Sequence, residues 1–269
     1  MQMMTQNGFR PYTLVTGASS GIGLELAKQF AQHGHDLLIV AEDLAIETVA
    51  EQLRSYGGHV ETFQVDLIPL QGVEKLYQHI QKSGKTLDYA ALNAGVGVGG
   101  AFLETDFQRE VDMIHLNIVS TVHLTKHLLR DMVSRNEGRI LFTSSVVSIA
   151  PAPFQAVYGA SKAFLRSFIE ALRSEIKESN VKLTALMPNA TETEFFARAD
   201  MLDTEVGQME KDDPAVVAEQ GFDGLMAGDE NVMGGSLKSR IQGQMARVMP
   251  KGVAAEMNRG MSEPGSAHH

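Results

Sequence analysis

Along this chain, short apolar runs alternate with stretches in which apolar residues recur every three or four positions. Tyr12 to Val15 is such a run, closing on Thr16, and Ile22, Leu26 and Phe30, with Ala27 and Ala31 beside them, follow at helical spacing until Gly34. Asp36 to Ala41 predicts a second strand, and Ile46, Val49, Ala50 and Leu53 predict the face of a helix ended by Gly57-Gly58. A third strand spans His59 to Val65, a helix carries Val73, Leu76, Tyr77 and Ile80, and Leu87 to Leu92 reads as the fourth strand. A long helical region then runs from about Thr105 to Arg135, with a break expected near Asp112. Gly138 opens a fifth strand, Tyr158 lies in the helix after it, Val181 to Met187 is the sixth strand, and Asn231 to Gly235 the last. Leu237 to Val248 and Val253 to Met261 predict two terminal helices.

Strands alternating with helices at this interval imply βαβ units, hence a parallel sheet covered on both faces. The 269 residues are expected to form one α/β domain, since there is no solenoid repeat, low-complexity block or separating linker. Glu192 to Asp213 is polar, Met-bearing and without a clean period, so 194–213 is expected to be a mobile segment over the sheet edge. Residues 235–262 form a helical extension, and 263–269 a disordered tail whose final His pair resembles an affinity-tag remnant.

Composition narrows the function. A formal net charge of -10 opposes a nucleic-acid backbone and gives no reason to invoke a membrane surface. With no cysteine, disulfides, thiolate metal sites and a cysteine nucleophile are excluded. Neither an export signal nor a run of about 18 apolar residues is present, so a cytoplasmic location is expected.

The candidate chemistry begins after the first strand, at Gly17-Ala-Ser-Ser-Gly21-Ile-Gly23. Glycines between strand and helix let backbone N–H groups approach a pyrophosphate at the helix N-terminus, which makes Gly17, Ser19, Ser20, Gly21, Ile22 and Gly23 candidate dinucleotide contacts. Glu42 ends the second strand, where a carboxylate can accept from both adenosine ribose hydroxyls and would repel a 2'-phosphate, favouring NAD over NADP. Asp43 suits a helix N-cap better than a ligand. Asp66, with Leu67 beside it, could meet adenine or cap the following helix.

Two rival sites are weaker. Gly17-Ala18-Ser19-Ser20-Gly21 matches the G-x-S-x-G nucleophile elbow, but no histidine lies between His127 and the tail, and no earlier strand could supply an oxyanion hole. His123 and His127 share a helix face at metal-compatible spacing, yet the sequence shows no acidic third ligand, so exposed or interface residues, and no metal, are expected.

Ser145 to Lys162 carries the remaining chemistry. Tyr158 and Lys162 stand four residues apart, hence on one helix face, and Ser145 lies upstream after the apolar run Ile140 to Thr143. A phenol with pKa near ~10 is a poor acid or base at neutral pH, but a nearby cation lowers that value and permits proton exchange with an alcohol or ketone.

Thr16-Gly17-x3-Gly21-x-Gly23, Asn93-Ala94-Gly95 and Ser145-x12-Tyr158-x3-Lys162 together resemble the short-chain dehydrogenase/reductase family from about Tyr12 to Thr193. The resemblance implies a single Rossmann-type, doubly wound domain of about seven strands that binds NAD(H) or NADP(H). It further implies that Tyr158 is the acid/base, that Lys162 lowers its pKa and holds the nicotinamide ribose, and that Ser145 positions the substrate oxygen. Asn117 matches the family's asparagine supporting a proton-relay water, Thr193 the threonine contacting the carboxamide, Asn93 (with Ala94 and Gly95) the brace of the central sheet, and Asp66 the adenine contact. Pro188-Asn189 departs from the family's Pro-Gly, a change asparagine tolerates if that site needs positive φ. The family's usual assembly implies a homodimer or homotetramer built on about Asp112 to Arg135 and Tyr158 to Glu178. The expected function is hydride transfer with a small-molecule secondary alcohol or ketone; the alternative is a non-catalytic dinucleotide-binding regulator, which has no need of Ser145, Tyr158 and Lys162 together.

Overall fold

The computed structural model describes residues 10–246 and 248–268. Its strands are β1 (Tyr12–Thr16), β2 (Asp36–Ala41), β3 (Val60–Gln64), β4 (Tyr89–Leu92), β5 (Arg139–Thr143), β6 (Lys182–Pro188) and β7 (Asn231–Gly234). They form one parallel sheet in the order β3-β2-β1-β4-β5-β6-β7. The order reverses between β1 and β4, so the loops leaving the carboxyl ends of these two strands diverge and open a crevice.

The helices cover both faces. On one, α3 (Leu70–Ser83), α5 (Thr121–Ser134) and α6 (Ala156–Glu175) bury Leu76, Leu128 and Leu165 against Leu14, Val40 and Ile140. On the other, α1 (Gly21–Gln32), α2 (Ala45–Arg54) and α9 (Pro214–Ala227) bury Phe30, Ile46 and Phe222 against Val15, Ile39 and Leu141. Successive residues of a strand serve opposite layers, and with both layers covered the inner strands read as largely apolar runs.

The structure departs from or adds to the expected elements at several points. The long helical region begins at Phe107, behind Asp106, whose carboxylate accepts from the N–H groups of Gln108 and Arg109. It shows no break near Asp112: α4 (Phe107–Ile114) passes through a π-helical stretch, His115–Ser120, into α5. Within 194–213 stand two one-turn helices, α7 (Phe195–Arg198) and α8 (Glu205–Gln208), and Thr191 pairs with Asp212 in an isolated bridge. The helix α9 had no counterpart in the sequence reading. The tail, expected to be disordered, instead docks: the Gly265 N–H donates to Asp203 Oδ2 at 2.9 Å, and Ser266 Oγ accepts from the Glu205 N–H at 2.9 Å. His269, the end of that tail, and Arg247, within the expected helix Leu237 to Val248, lie outside the described residues.

The extension comprises α10 (Leu237–Ala246) and α11 (Lys251–Ser262). The latter packs on the loop before α6, where Gln155 donates to Ser262 Oγ at 3.1 Å and Asn258 to the Pro151 carbonyl at 2.8 Å. Among the described residues, no helix is long and apolar enough to cross a membrane.

Candidate active site

A single cavity runs along the carboxyl edge of the sheet, from Glu42 and Asp66 past the glycine loop to Ser145, Tyr158 and Lys162. The glycines shape its floor. A Cβ on Gly23 would lie 2.0 Å from the Gly17 carbonyl oxygen, and one on Gly17 would lie 2.9 Å from the Cα of Ala94, so neither position admits a side chain. Gly17 and Gly21 both have positive φ, 65° and 56°, which glycine adopts without steric cost. Ser20 flanks α1 without capping it, so the first-turn N–H groups face the loop with no side-chain acceptor. This is the surface a pyrophosphate needs.

The crevice is braced across three strands. Thr16 Oγ1 accepts from the N–H groups of Asn93 (3.0 Å) and Ala94 (3.1 Å). The Asn93 side chain donates to the Gly17 carbonyl at 3.3 Å and accepts from Thr143 Oγ1 at 3.0 Å, tying the ends of β1, β4 and β5 together. Asn117, in the π-helical stretch, accepts from the Val96 N–H at 3.0 Å while its amide donates to the Val96 carbonyl at 2.9 Å and to Ser161 Oγ at 3.1 Å. Gly95 passes between these groups, its missing Cβ 3.0 Å from Asn117 Oδ1 and 3.3 Å from Lys162 Nζ.

Tyr158 and Lys162 project from α6 into the same end of the cavity, and both are buried. Lys162 Nζ donates to the carbonyl of Thr143, at the end of β5, at 2.9 Å and stands 5.7 Å from the centre of the Tyr158 ring. Burial pushes the phenol up to about 12, opposed by hydrogen bonding from Ser145, and pushes the ammonium down to about 8. Burial is thus the larger influence on the phenol, and the Ser145 hydrogen bond works against it. Ser145 holds an extended backbone (φ -169°) and its Oγ accepts from the Val147 N–H at 3.3 Å, which fixes the hydroxyl at the turn above β5.

The remaining candidates line the cavity with distinct local roles. Glu42 is exposed at its far end. Asp43 accepts from the Ala45 N–H at 3.0 Å, helping α2 to start, and from Ser19 Oγ at 2.8 Å. Ser19 is thus held by a carboxylate, not a histidine, and no nucleophile elbow is assembled. Asp66 closes a turn by accepting from the Ile68 N–H at 2.8 Å, two residues short of α3, and lines the cavity with Leu67. Thr193 lies over the glycine loop, its methyl 3.0 Å from where a Gly21 Cβ would be. Pro188 ends β6 beside it, and the positive-φ non-glycine residues among those described are Asn136, Phe154 and Asp200. Asn189 is not among them, so the Pro-Asn departure carries no left-handed strain.

Further groups complete the site. The Phe195 ring lies 5.1 Å from that of Tyr158, and Arg109 on α4 pairs with Asp200 and donates to the Arg198 carbonyl at 2.9 Å, fastening α7 across the cavity mouth. Gln155 both lines the cavity and binds α11. No local sequence signal marks these contacts, which join segments far apart in the chain.

Residues 11–201 match the family model for short chain dehydrogenase. The chain belongs to the short-chain dehydrogenase/reductase family. A relative from Sinorhizobium fredii, described as an uncharacterized short-chain type dehydrogenase/reductase, is 36% identical over 187 residues, 69% of this chain and 72% of that protein. The 17-beta-hydroxysteroid dehydrogenase type 3 of Rattus norvegicus is 32% identical over 189 residues, covering 68% of this chain but only 60% of that longer protein. Among solved structures, a short-chain dehydrogenase from Sphingobium yanoikuyae in complex with NADPH superimposes with a TM-score of 0.78 at 29% identity, covering 83% of this chain and 87% of that one. The chain is thus an oxidoreductase of this family, whose doubly wound sheet it shares.

Proposed function

We propose that this oxidoreductase interconverts a secondary alcohol and a ketone at Ser145, Tyr158 and Lys162, using NAD(H) in preference to NADP(H). One observation carries the reading: a buried phenol, a serine hydroxyl and a lysine ammonium meet at one end of a cavity whose other end is a side-chain-free glycine cradle with uncapped helix N–H groups. The residues fit a dinucleotide. Gly17 to Gly23 would hold the pyrophosphate, Glu42 the adenosine ribose, Asp66 and Leu67 the adenine, and Asn93 to Gly95, Pro188 and Thr193 the nicotinamide end.

When bound, the nicotinamide supplies or accepts the hydride. The side chains do the rest. Ser145 donates a hydrogen bond to the substrate oxygen, so that charge develops against a prepared donor. Tyr158 passes its proton to that oxygen during ketone reduction and takes it back during alcohol oxidation. Burial favours the protonated phenol, the form that donates in ketone reduction. Lys162, anchored on Thr143, places its charge beside the ring and toward the nicotinamide ribose. Asn117 positions the loop through Val96 and reaches the backbone of Tyr158 through Ser161, whose Oγ donates to the Tyr158 carbonyl at 2.7 Å. A regulator without chemistry would have no use for burying a tyrosine and a lysine at such a desolvation cost.

The same reading extends to assembly as a homodimer or homotetramer through α5 and α6. Phe164 of α6 supports it, being exposed and stacked on Phe168 with ring centres 5.9 Å apart. The testing experiment is an absorbance screen of NADH and NADPH oxidation with sterol, acyl and small cyclic ketones, and of the reverse reaction with the matching alcohols. Turnover with at least one ketone is expected; none with any carbonyl, under either cofactor, would overturn the assignment.

A further inference from the structure

Away from the cavity, on the opposite flank of α5, three side chains converge on one point. His123 and His127 stand one turn apart on α5, and Glu74 reaches them from α3. Glu74 Oε1 is 2.8 Å from His123 Nε2 and 3.3 Å from His127 Nε2, and the two Nε2 atoms are 3.2 Å apart. The carboxylate that the sequence did not reveal lies 53 residues upstream of His127, on a neighbouring helix.

The triangle has the dimensions of a metal-binding face. Zn–N and Zn–O bonds of about 2.0–2.1 Å at tetrahedral angles put ligand atoms roughly 3.3 Å apart. With the observed edges, an ion at that bond length from all three atoms stands about 1 Å out of their plane, which leaves a fourth tetrahedral position for a further ligand. Without a cation the arrangement is awkward. Each neutral imidazole has a single N–H, and both rings aim the same nitrogen at each other and at one carboxylate oxygen. His123 has no other polar anchor, since its Nδ1 is buried without a hydrogen-bond partner.

The ligands are also held in place. Tyr77 of α3 stacks on the His127 ring at 4.0 Å and 15°, and its hydroxyl donates to the Asp131 carboxylate at 3.1 Å, so the ring is gripped from the helix that supplies Glu74. All three ligands are partly accessible, with side-chain exposures of 24%, 19% and 45%, so an ion can enter.

We propose that Glu74, His123 and His127 form a divalent transition-metal site, with Zn2+ as the fitting ion, that clamps α3 to α5. Two imidazoles and one carboxylate suit Zn2+ better than the hard cations Mg2+ and Ca2+, which take oxygen ligands. The site lies on the helix that continues from the π-helical stretch bearing Asn117, so the clamp steadies that part of the fold without touching the reacting groups.

The test titrates Zn2+ against the full chain carrying His268→Ala and His269→Ala, which removes the competing tail pair, with a chromogenic chelator as reporter. One Zn2+ per chain is expected, together with a rise in Tm on adding Zn2+. Glu74→Gln, a near-isosteric change at a partly accessible position, should fold as the parent and weaken binding at least tenfold, as should His123→Gln and His127→Gln, with the Zn2+-dependent Tm rise abolished. Absence of stoichiometric binding in the parent would show an ion-pair network only and overturn the proposal. So would parent-like Zn2+ affinity in the Glu74→Gln protein.

Discussion

Asn117 grips Val96 at both ends of its peptide unit, accepting from the N–H at 3.0 Å and donating to the carbonyl at 2.9 Å. The pairing couples the loop after β4 to the π-helical stretch, and a third bond carries it to Ser161 on α6. Replacing Asn117 by Ala strips partners from two backbone groups and a serine. Each unsatisfied buried group costs about 1–3 kcal/mol, so a loss of about 2–4 kcal/mol in urea denaturation is expected, along with a fall in turnover. Unchanged stability would show that the loop holds itself.

Tyr158→Phe removes the proton donor and little else, because the ring remains buried beside Phe195. Turnover should fall by about 10²–10⁴, the usual contribution of general acid–base catalysis, while NADH affinity measured by fluorescence stays within a few-fold. In the unmutated protein, ketone reduction should decline above about pH 8, as the Lys162 ammonium loses its proton well before the phenol does. A rate flat to pH 10 would detach Lys162 from the reaction.

Glu42→Arg exchanges a carboxylate that repels a 2'-phosphate for a cation that attracts it. The ratio of kcat/KM for NADPH over NADH should rise at least tenfold, equivalent to about 1.4 kcal/mol. If the unmutated protein already prefers NADPH strongly, the ribose assignment of Glu42 is wrong.

Gly23→Ala should be destructive although the change is one methyl group. The added carbon would sit 2.0 Å from the Gly17 carbonyl oxygen and 2.5 Å from the Asn93 amide, so the loop or α1 must move. Overpacking of this kind costs about 1–3 kcal/mol. Dinucleotide affinity should drop further than stability does, a comparison that calorimetry and thermal melts make directly.

His35 sets an acid limit. It is buried between the rings of Phe30 and Tyr89 and bonded to Thr13 Oγ1 at 2.8 Å, and burial lowers its pKa from 6.5 to about 4. Between these values the unfolded chain binds the proton and the folded one does not, so stability rises with pH through that window. The contribution is complete above about pH 6.5 and is lost as pH falls to about 4. His35→Gln should flatten this part of the stability curve; a parallel curve would place the acid sensitivity elsewhere.

The inner strands were legible because each is a short, largely apolar run, as burial on both faces requires; the edge strands β3 and β7 carry polar residues such as Glu61, Gln64 and Asn231. The helix α9 was not. Its glycines, Gly221 and Gly224, interrupt the apolar repeat at positions where a Cβ would lie 2.8 Å from Leu186 and 2.2 Å from Val232 on the sheet. The usable signals were at its ends: Asp213 accepts from the Ala215 N–H ahead of Pro214 in the first turn, and Gly228 closes the helix at φ 79°. At the site, the residues joined by spacing along one element, Tyr158 with Lys162 and the three glycines, could be found without a structure. Glu74 and Arg109 could not, because their partners are brought near only by tertiary packing. The burial of Tyr158 and Lys162 was hidden for a related reason: a cation's neighbourhood can be read from a four-residue interval, but the loss of water around both groups cannot.

Phe195 covers Tyr158 from a one-turn helix, and a Cβ on Gly97 would strike its ring at 2.4 Å. In the proposed reaction the wall that an incoming ketone meets therefore belongs to a small appended element, whereas the proposed proton donor belongs to a twenty-residue helix packed on the sheet. Selectivity can drift through replacements at the cover while the reaction underneath is inherited intact, which makes residues 194–201 the place to re-engineer appetite for larger or smaller carbonyl compounds.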